Sequence, residues 1–349
     1  MPKRVGFLYE KVLTLENCQE AVMVGTKNLK KTKKVRWIRS HPEEAGQQVL
    51  DALTNGWKPG PVRLKTINEG SGHKKRFLKI PSTFDHLCHV AIMLPLIPLI
   101  QKRMDFYCCG SVPGRGQKRA DMAVKTWMNG KKVPKYAAEC DVHHAYQSTK
   151  PAVVMAALRR IVKDERYLHW HELILGQMGD ELAIGFQPSH WYFNLVMDRV
   201  DKRVRREIPG IKYVRFMDNI VFAHGRKRTC HRAMRVIEDE CRKMGMELNR
   251  SKQVYPTAKR SITLLSYRYF KGYSILRKAT MYRISKGIRR AGRNMCDHHC
   301  RAAMSLIGIT KHCNSYNFRK KHVYKVMSIK QAKGVISHAD KKRDLRRAA

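Results

Sequence analysis

The chain has 349 residues, and its 71 Lys and Arg outnumber its 28 Asp and Glu, for a formal net charge of +43 at neutral pH. So large an excess of cations repels itself unless a polyanion neutralises it, which argues against an enzyme of small acidic metabolites and makes nucleic acid the expected partner. With 43% hydrophobic and 8% aromatic residues, the chain can bury a sizeable core; a disordered basic tail is excluded, and two or three subdomains fit the length.

At the start, Met1-Pro2-Lys3-Arg4-Val5 has no apolar run behind it, so no secretory signal is expected. Residues 27–39 carry Lys27, Lys30, Lys31, Lys33, Lys34, Arg36 and Arg39 around Trp37. They read either as an RNA-binding arm or as a solvated charged face. Turn residues at Asn55-Gly56, Lys58-Pro59-Gly60-Pro61 and Glu69-Gly70-Ser71-Gly72 mark a link from that stretch to the main body.

Residues 84–103 have helical apolar spacing at Leu87, Val90, Ala91 and Leu94. The apolar run 90–100 is broken by Pro95 and Pro98 and is too short to span a bilayer, so it reads as buried core and no membrane is expected. A loop at 109–116 precedes a helix over 120–128 and a strand over 136–142. The spacing predicts a helix over 149–164, with Pro151 in its first turn and Val154, Ala157, Leu158 and Ile161 on one face. Residues 212–223 read as a hairpin with Met217-Asp218-Asn219 at its tip. A helix over 228–246 carries Ala233, Val236, Ile237 and Cys241. Strand, helix, hairpin and helix around one sheet make an α+β domain.

Ten cysteines without paired spacing suggest reduced thiols in a cytoplasmic chain. Cys296, His298, His299 and Cys300, with His312 and Cys313 farther on, are zinc-ligand types, but their spacing matches no closed tetrahedral pattern. Buried thiols and helix-surface histidines are the preferred reading. Charge is uneven: residues 271–349 hold 21 Lys and Arg against three Asp, whereas 15 of the 28 carboxylates lie in 131–270. That middle segment could house a metal-using site among phosphate-binding surfaces, or simply balance salt bridges.

Asp141 at a strand end and Asp218 at a hairpin tip could meet at one edge of a single sheet. Phosphoryl transfer with two Mg²⁺ ions uses such a pair, one ion activating the attacking hydroxyl and the other stabilising the leaving pyrophosphate. Asp-Asn in a hairpin is equally ordinary turn chemistry, so neither residue decides the matter alone.

The neighbouring residues add a resemblance. Asp141-Val142-His143-His144-Ala145-Tyr146 resembles the first catalytic motif of reverse transcriptases, and residues 213–222 resemble their Tyr-x-Asp-Asp hairpin. Between them, residues 184–194 are similar to the motif that supports the incoming nucleotide and templating base. Residues 109–116 look like the Gly-rich fingers segment, 245–252 like the loop and lysine after the hairpin helix, 264–268 like the primer grip and 305–337 like a compact bacterial thumb. The resemblance spans roughly residues 75–340, in the family's order.

It implies an α+β right-hand polymerase: a basic N-terminal extension (1–60), fingers (61–135), a palm of antiparallel sheet plus helices with the catalytic motifs (136–272) and a short helical basic thumb (273–349). The function implied is RNA-directed DNA polymerase, copying an RNA template into cDNA from a primer and deoxynucleoside triphosphates with two Mg²⁺ ions, or Mn²⁺ in their place. Asp141 and Asp218 would be metal ligands with the Val142 carbonyl, and Asn219 would assist. Tyr146 would be either the steric gate against a ribose 2′-hydroxyl or a core tyrosine. Ile184, Gly185 and Ser189 would line the nucleotide and template pocket or serve in packing. Arg115 would meet a phosphate or lie in solvent, and Lys252 would protonate the leaving pyrophosphate.

Asn219 stands where the family carries a second aspartate, Phe216 where it carries tyrosine, and His190 and Ile184 depart from the retroviral and intron enzymes. The Ile-Gly-x-x-x-Ser pattern looks most like the enzymes of diversity-generating retroelements, which implies error-prone copying at adenines and a small basic pentameric accessory protein. Antiphage-defence or retron-type enzymes share the same palm. A catalytically weak RNA-binding scaffold is the reading from another class, and it rests on Asn219.

Overall fold

A computed structural model describes residues 4–30, 32–69 and 74–348, and the chain divides into two compact units. The first comprises residues 1–116, 140–220 and 231–252, and the second 117–139, 221–230 and 253–349. Of the four consecutive segments expected from the sequence, 1–60 lies in the first unit and 273–349 in the second, while 61–135 and 136–272 have residues in both.

The first unit opens with four helices, α1 (Leu8–Val12), α2 (Leu15–Thr26), α3 (Lys33–Ser40) and α4 (Pro42–Thr54). Local chemistry sets their starts: the Thr14 and Thr32 hydroxyls accept the amides of Asn17 and Val35, both at 3.2 Å, and Pro42 occupies the first turn of α4. The basic stretch 27–39 is therefore built into a helical layer and is not a free arm. Val35 and Ile38 of α3 are buried while Lys33, Lys34 and Arg36 face solvent; Lys31 lies outside the described residues. Nor is the turn-rich segment 55–61 a loose link. The Trp57 indole and the Gly60 amide donate to the Asp85 carboxylate at 3.1 and 3.2 Å, and Gln177 donates to the Gly60 carbonyl at 2.8 Å. Gly70, Ser71 and Gly72, the other part of the expected link, fall outside the described residues.

The antiparallel hairpin of β1 (Arg63–Glu69) and β2 (Lys74–Ile80) follows, paired from Arg63 opposite Ile80 to Asn68 opposite Lys75. The single helix expected over 84–103 is two, α5 (Thr83–Met93) and α6 (Ile97–Arg103). Proline lacks an amide hydrogen and disfavours helix in the residue before it, so Pro95 and Pro98 break the ladder. Val90, Ile92, Met93, Leu96 and Ile100 are buried, as the core reading required. No single helix among the described residues is long and apolar enough to cross a membrane.

Along the chain come α7 (Gly116–Asn129), β3 (Tyr136–Asp141), α8 (Ala145–Ser148), α9 (Pro151–Arg159) and α10 (Glu165–Met178). The helix expected over 149–164 thus ends at Arg159. A new one starts where the Asp164 carboxylate accepts the Tyr167 amide at 3.3 Å, an N-cap that competes with helix continuation. The next helix, α11 (Gln187–Glu207), is the spine of the first unit: Tyr192, Phe193, Val196, Met197, Val200 and Val204 are all fully buried on it, each contributing about 1.5–3 kcal/mol by leaving water. The hairpin β4 (Lys212–Phe216) and β5 (Asn219–His224) then leads into α12 (Lys227–Lys243) and β6 (Gln253–Pro256). The four-stranded sheet has the order β4-β5-β3-β6, so the strands bearing Asp141 and Asn219 are neighbours.

In the second unit, β3 and β6 pair antiparallel from Tyr136 opposite Pro256 to Glu139 opposite Gln253. A meander of β7 (Ile262–Leu264), β8 (Tyr267–Phe270) and β9 (Tyr273–Leu276) adds a second sheet. Its first turn places Leu265 at φ 53°. The Thr263 amide donates to Glu139 at 2.7 Å, and the Tyr269 phenol donates to Asp121 of α7 at 3.0 Å. The helices α13 (Lys278–Arg293), α14 (Asp297–Thr310), α15 (Tyr316–Arg319) and α16 (Ile329–Ala348) complete it, with one π-helical turn at Lys320–Tyr324. Ile284, Ile288, Ala291, Cys300, Ala303, Ile307 and Ala332 form their apolar seam. All ten cysteines are free thiols. Cys300 is buried and Cys296 exposed, and among the described residues no three His, Cys, Asp or Glu gather as a metal site.

Candidate active site

Asp141 is the last residue of β3, and the segment after α12 holds it. Asn249 donates from Nδ2 to Asp141 Oδ2 at 2.9 Å and from its amide to the Asp141 carbonyl at 2.8 Å, while Ser251 Oγ lies 3.5 Å from Oδ1. The His143 amide donates to the Glu247 carbonyl at 2.8 Å, which keeps this segment alongside the residues following Asp141.

Asp218 occupies the two-residue turn between β4 and β5, whose other residue, Met217, is left-handed at φ 56°. The backbone joins the two motifs: the Val142 amide donates to the Asp218 carbonyl at 3.4 Å. Partial burial raises the Asp218 carboxyl above its ordinary 3.8, and the Asp141 charge adds to this; the Asp218 amide, the Asn219 side chain and the Arg76 charge act the other way. The two carboxylates are thus close enough to repel, as a pair sharing one cation would be before the cation binds. Hard oxygen donors of this kind, with waters and substrate phosphates completing the shell, suit Mg²⁺. Asp141 and Asp218 are the residues whose oxygens could hold a divalent cation.

Tyr146, on the short helix α8, is half-buried with its ring edge-to-face on Phe193 at 5.6 Å between centroids. Burial, and then the Asp218 charge, push its phenol up to about 12, so it stays neutral. Asn219 is exposed and donates from Nδ2 to Asp218 Oδ1 at 3.3 Å. Lys252 pairs with Glu238 of α12.

The remaining expected residues are placed less directly. The Ile184 carbonyl accepts the Lys79 amide of β2 at 2.9 Å. Gly185 sits at φ 114°, with the Lys79 carbonyl 2.4 Å from where a Cβ would lie, so only glycine allows this contact. Ser189 is buried, and its hydroxyl donates to the Ala183 carbonyl at 2.7 Å. The Arg115 guanidinium is directed at three backbone carbonyls, those of Asp105 at 2.6 Å, Gln101 at 3.3 Å and Cys108 at 3.4 Å. It closes its own loop in this conformation and is not aimed outward at a phosphate.

Sequence reasoning passed over Arg76, which lies on β2 within electrostatic reach of both Asp218 and Tyr146. No strand was expected there, so nothing marked it. It singled out the segment 245–252 but gave no role to Asn249 and Ser251 within it. Arg215 was missed as well: a charged residue following Tyr213 and Val214, both buried, within the strand β4 implies a buried partner.

The family described as reverse transcriptase (RNA-dependent DNA polymerase) matches residues 68–269. No curated protein matches the sequence. Among solved structures, the telomerase from Candida albicans, determined in complex with a TWJ fragment of telomeric RNA, superposes with a TM-score of 0.50 at 9% identity. The likeness covers 68% of this chain and 51% of that one, so this chain spans about half the length of the telomerase chain, and at that identity the likeness is one of fold. The family match takes in both aspartates, the turn between β4 and β5 and the loop that holds Asp141; as it extends over more than half of the chain, the chain belongs to the reverse transcriptase family, enzymes of the nucleotidyltransferase class.

Proposed function

We propose that the chain extends a primer with deoxynucleoside triphosphates on an RNA template, with Asp141 and Asp218 as the centre of the reaction. The observation that carries this reading is the backbone bond between Val142 and Asp218, which brings the ends of the two motifs together, with the Asp141 charge acting on the Asp218 carboxyl. Simple RNA binding requires neither. When bound at Asp141, Asp218 and the Val142 carbonyl, two Mg²⁺ ions, or Mn²⁺ in their place, would supply activation of the primer 3′-hydroxyl and stabilisation of the leaving pyrophosphate.

The chain's own residues do the rest. Asn249 and Ser251 orient Asp141, and Asn219 orients Asp218. The Tyr146 ring, backed by Phe193, stands where a ribose 2′-hydroxyl would clash, which favours deoxynucleotides. Lys252, held by Glu238, is the donor proposed for the leaving pyrophosphate, and Arg76 is a cation for the triphosphate. In this reading residues 61–135 are fingers, 136–272 palm and 273–349 thumb. The basic faces of residues 273–349 hold the template and primer backbones, and affinity falls steeply with salt.

Within the family the reading is the error-prone enzyme of a diversity-generating retroelement, working in the cytoplasm with a small basic pentameric accessory protein. The support is the Ile184-Gly185-x-x-x-Ser189 pattern, with Gly185 fixed against β2 by its backbone angle and by the Lys79 carbonyl. Sequencing the DNA copied from a defined RNA tests it. Substitutions concentrated opposite template adenines are expected, and errors spread evenly over the four bases would contradict it. A non-catalytic RNA-binding scaffold is favoured only by Asn219, and absence of synthesis in the presence of native RNA and accessory proteins would select it.

A further inference from the structure

Arg215, the fourth of the five residues of β4, is buried completely, and so is its partner Asp201 on α11. Its guanidinium has no donor left over. Nε reaches both Asp201 oxygens at 2.9 and 3.0 Å, and Nη2 reaches Asp201 Oδ2 at 2.7 Å and Cys108 Sγ at 3.2 Å. Nη1 reaches Asn194 Oδ1 at 2.9 Å and the Met217 carbonyl at 3.0 Å. Asn194 passes the connection on, donating from Nδ2 to the Gly110 carbonyl at 2.9 Å, and the Tyr213 phenol fills Asp201 Oδ1 at 2.6 Å. The Arg215 backbone is held too, donating to the Tyr107 carbonyl at 3.0 Å and accepting the Cys109 amide at 2.8 Å.

One of these bonds falls on the site. The Met217 carbonyl belongs to the peptide that joins Met217 to Asp218, and Met217 is a non-glycine residue at φ 56°. Such a conformation persists only where the surroundings over-determine it. A buried ion pair by itself is a poor source of stability, because desolvation offsets the attraction. What this pair provides is a fixed fork between two residues of α11, the Cys108 thiol and the turn. We propose that Arg215 is a positioning residue for Asp218: it holds the Met217–Asp218 peptide so that the Asp218 carboxylate faces Asp141 before any ion binds. This rests on the polymerase reading for its consequence in catalysis, but not for its geometry.

The test replaces the buried polar set by apolar residues, Arg215→Met with Asp201→Leu and Tyr213→Phe, an exchange that buried ion pairs often tolerate without loss of stability. Four quantities are read in the full chain: the thermal midpoint, Mn²⁺ affinity by electron paramagnetic resonance without nucleotide, amide exchange in the segment 216–220, and primer-extension kinetics. The expected result is a midpoint within a few degrees of the native chain, faster exchange at 216–220 and Mn²⁺ affinity lower by roughly tenfold, as for removal of outer partners of a metal site. In kinetics, kcat should fall about a hundredfold while KM for the nucleotide stays within about twofold, as expected for misplacement of a reacting group. A folded variant with native Mn²⁺ affinity and native kcat overturns the proposal and leaves Arg215 as a core ion pair. Should the triple variant not fold, Arg215→Lys retains the charge beside Asp201 but cannot also reach the Met217 carbonyl. It should show the same split between affinity, kcat and KM, and native values in it are equally fatal. If the native chain synthesises no DNA, the polymerase reading fails, while Mn²⁺ affinity and exchange still decide the role of Arg215.

Discussion

Asn219 donates from Nδ2 to Asp218 Oδ1 at 3.3 Å, so the residue that stands in place of a second aspartate neutralises part of the carboxylate it adjoins instead of repelling it. In Asn219→Asp the donor is lost and a negative charge is gained. The Asp218 carboxyl should then move further above 3.8 in the metal-free protein. Because a third carboxylate also strengthens cation binding, the rate of primer extension should be preserved or rise by up to about tenfold. Single-turnover extension at saturating Mg²⁺ measures it, and a large loss would give the asparagine a specific role beyond this contact.

Gly110 tests the same turn through its contact with Met217. A Cβ built there lies 2.4 Å from the Met217 amide nitrogen and 2.6 Å from its Cγ, so Gly110→Ala must displace either the 109–116 loop or the turn. Overpacking of this sort costs about 1–3 kcal/mol of stability. Since the turn aims Asp218, kcat should fall by at least about tenfold, more than that loss of stability explains at temperatures where the variant remains folded. Thermal melting and steady-state kinetics on one preparation separate the two effects.

These two sites show how much the sequence could disclose. Asp141 and Asp218 were legible because the motif order and the hairpin turn chemistry both pointed to a shared sheet edge, and in the strand order β4-β5-β3-β6 the strand that ends at Asp141 neighbours the one that starts directly after Asp218. Arg215, Asn194 and Gly110 were not legible. Their meeting depends on side chains of α11 reaching Arg215 of β4 and the 109–116 loop, a tertiary relation that no local periodicity encodes. Helix ends were misjudged for local reasons: Pro95 and Pro98 split one expected helix, and the Asp164 cap divided another from α10. The basic stretch 27–39 suggested an arm because its cations outnumber the two apolar residues, Val35 and Ile38, that pack it down.

The carboxyl pair should titrate in a way that reports its geometry. Burial and the Asp141 charge both raise Asp218 above 3.8. The native state therefore binds more protons than the unfolded state between 3.8 and the raised value, and this group's contribution to stability declines as pH rises through that window. Removing the neighbouring charge in Asp141→Asn should lower the Asp218 midpoint. Carboxyl ¹³C titration of metal-free protein checks this, and an unmoved midpoint would place the two carboxylates out of each other's range.

Acid should act elsewhere by a different route. His89, packed between Trp57 and Phe186, and His171, bonded to the Tyr192 phenol at 2.7 Å, are fully buried. Burial lowers both to about 3 from the usual 6.5. The unfolded chain takes up these protons first, so stability is complete above 6.5 and is lost as pH falls toward 3, by roughly 1.4 kcal/mol per pH unit for each such histidine. In His171→Gln the loss of chemical stability between pH 6.5 and 5 should be shallower than in the native chain, whatever its absolute value. Urea titrations at several pH values provide the slopes, and equal slopes would show that His171 is not held neutral.

The central claim is that Asp141 and Asp218 form one catalytic centre for DNA synthesis on RNA. Extension of a DNA primer on an RNA template with Mg²⁺ and deoxynucleotides, run beside Asp141→Ala and Asp218→Ala, tests it most directly. The native chain should synthesise DNA, both variants should lose synthesis by at least about a thousandfold, and both should bind the RNA with nearly native affinity, since phosphate contacts supply that binding. Undiminished synthesis by either variant would remove that aspartate from the centre and contradict the account.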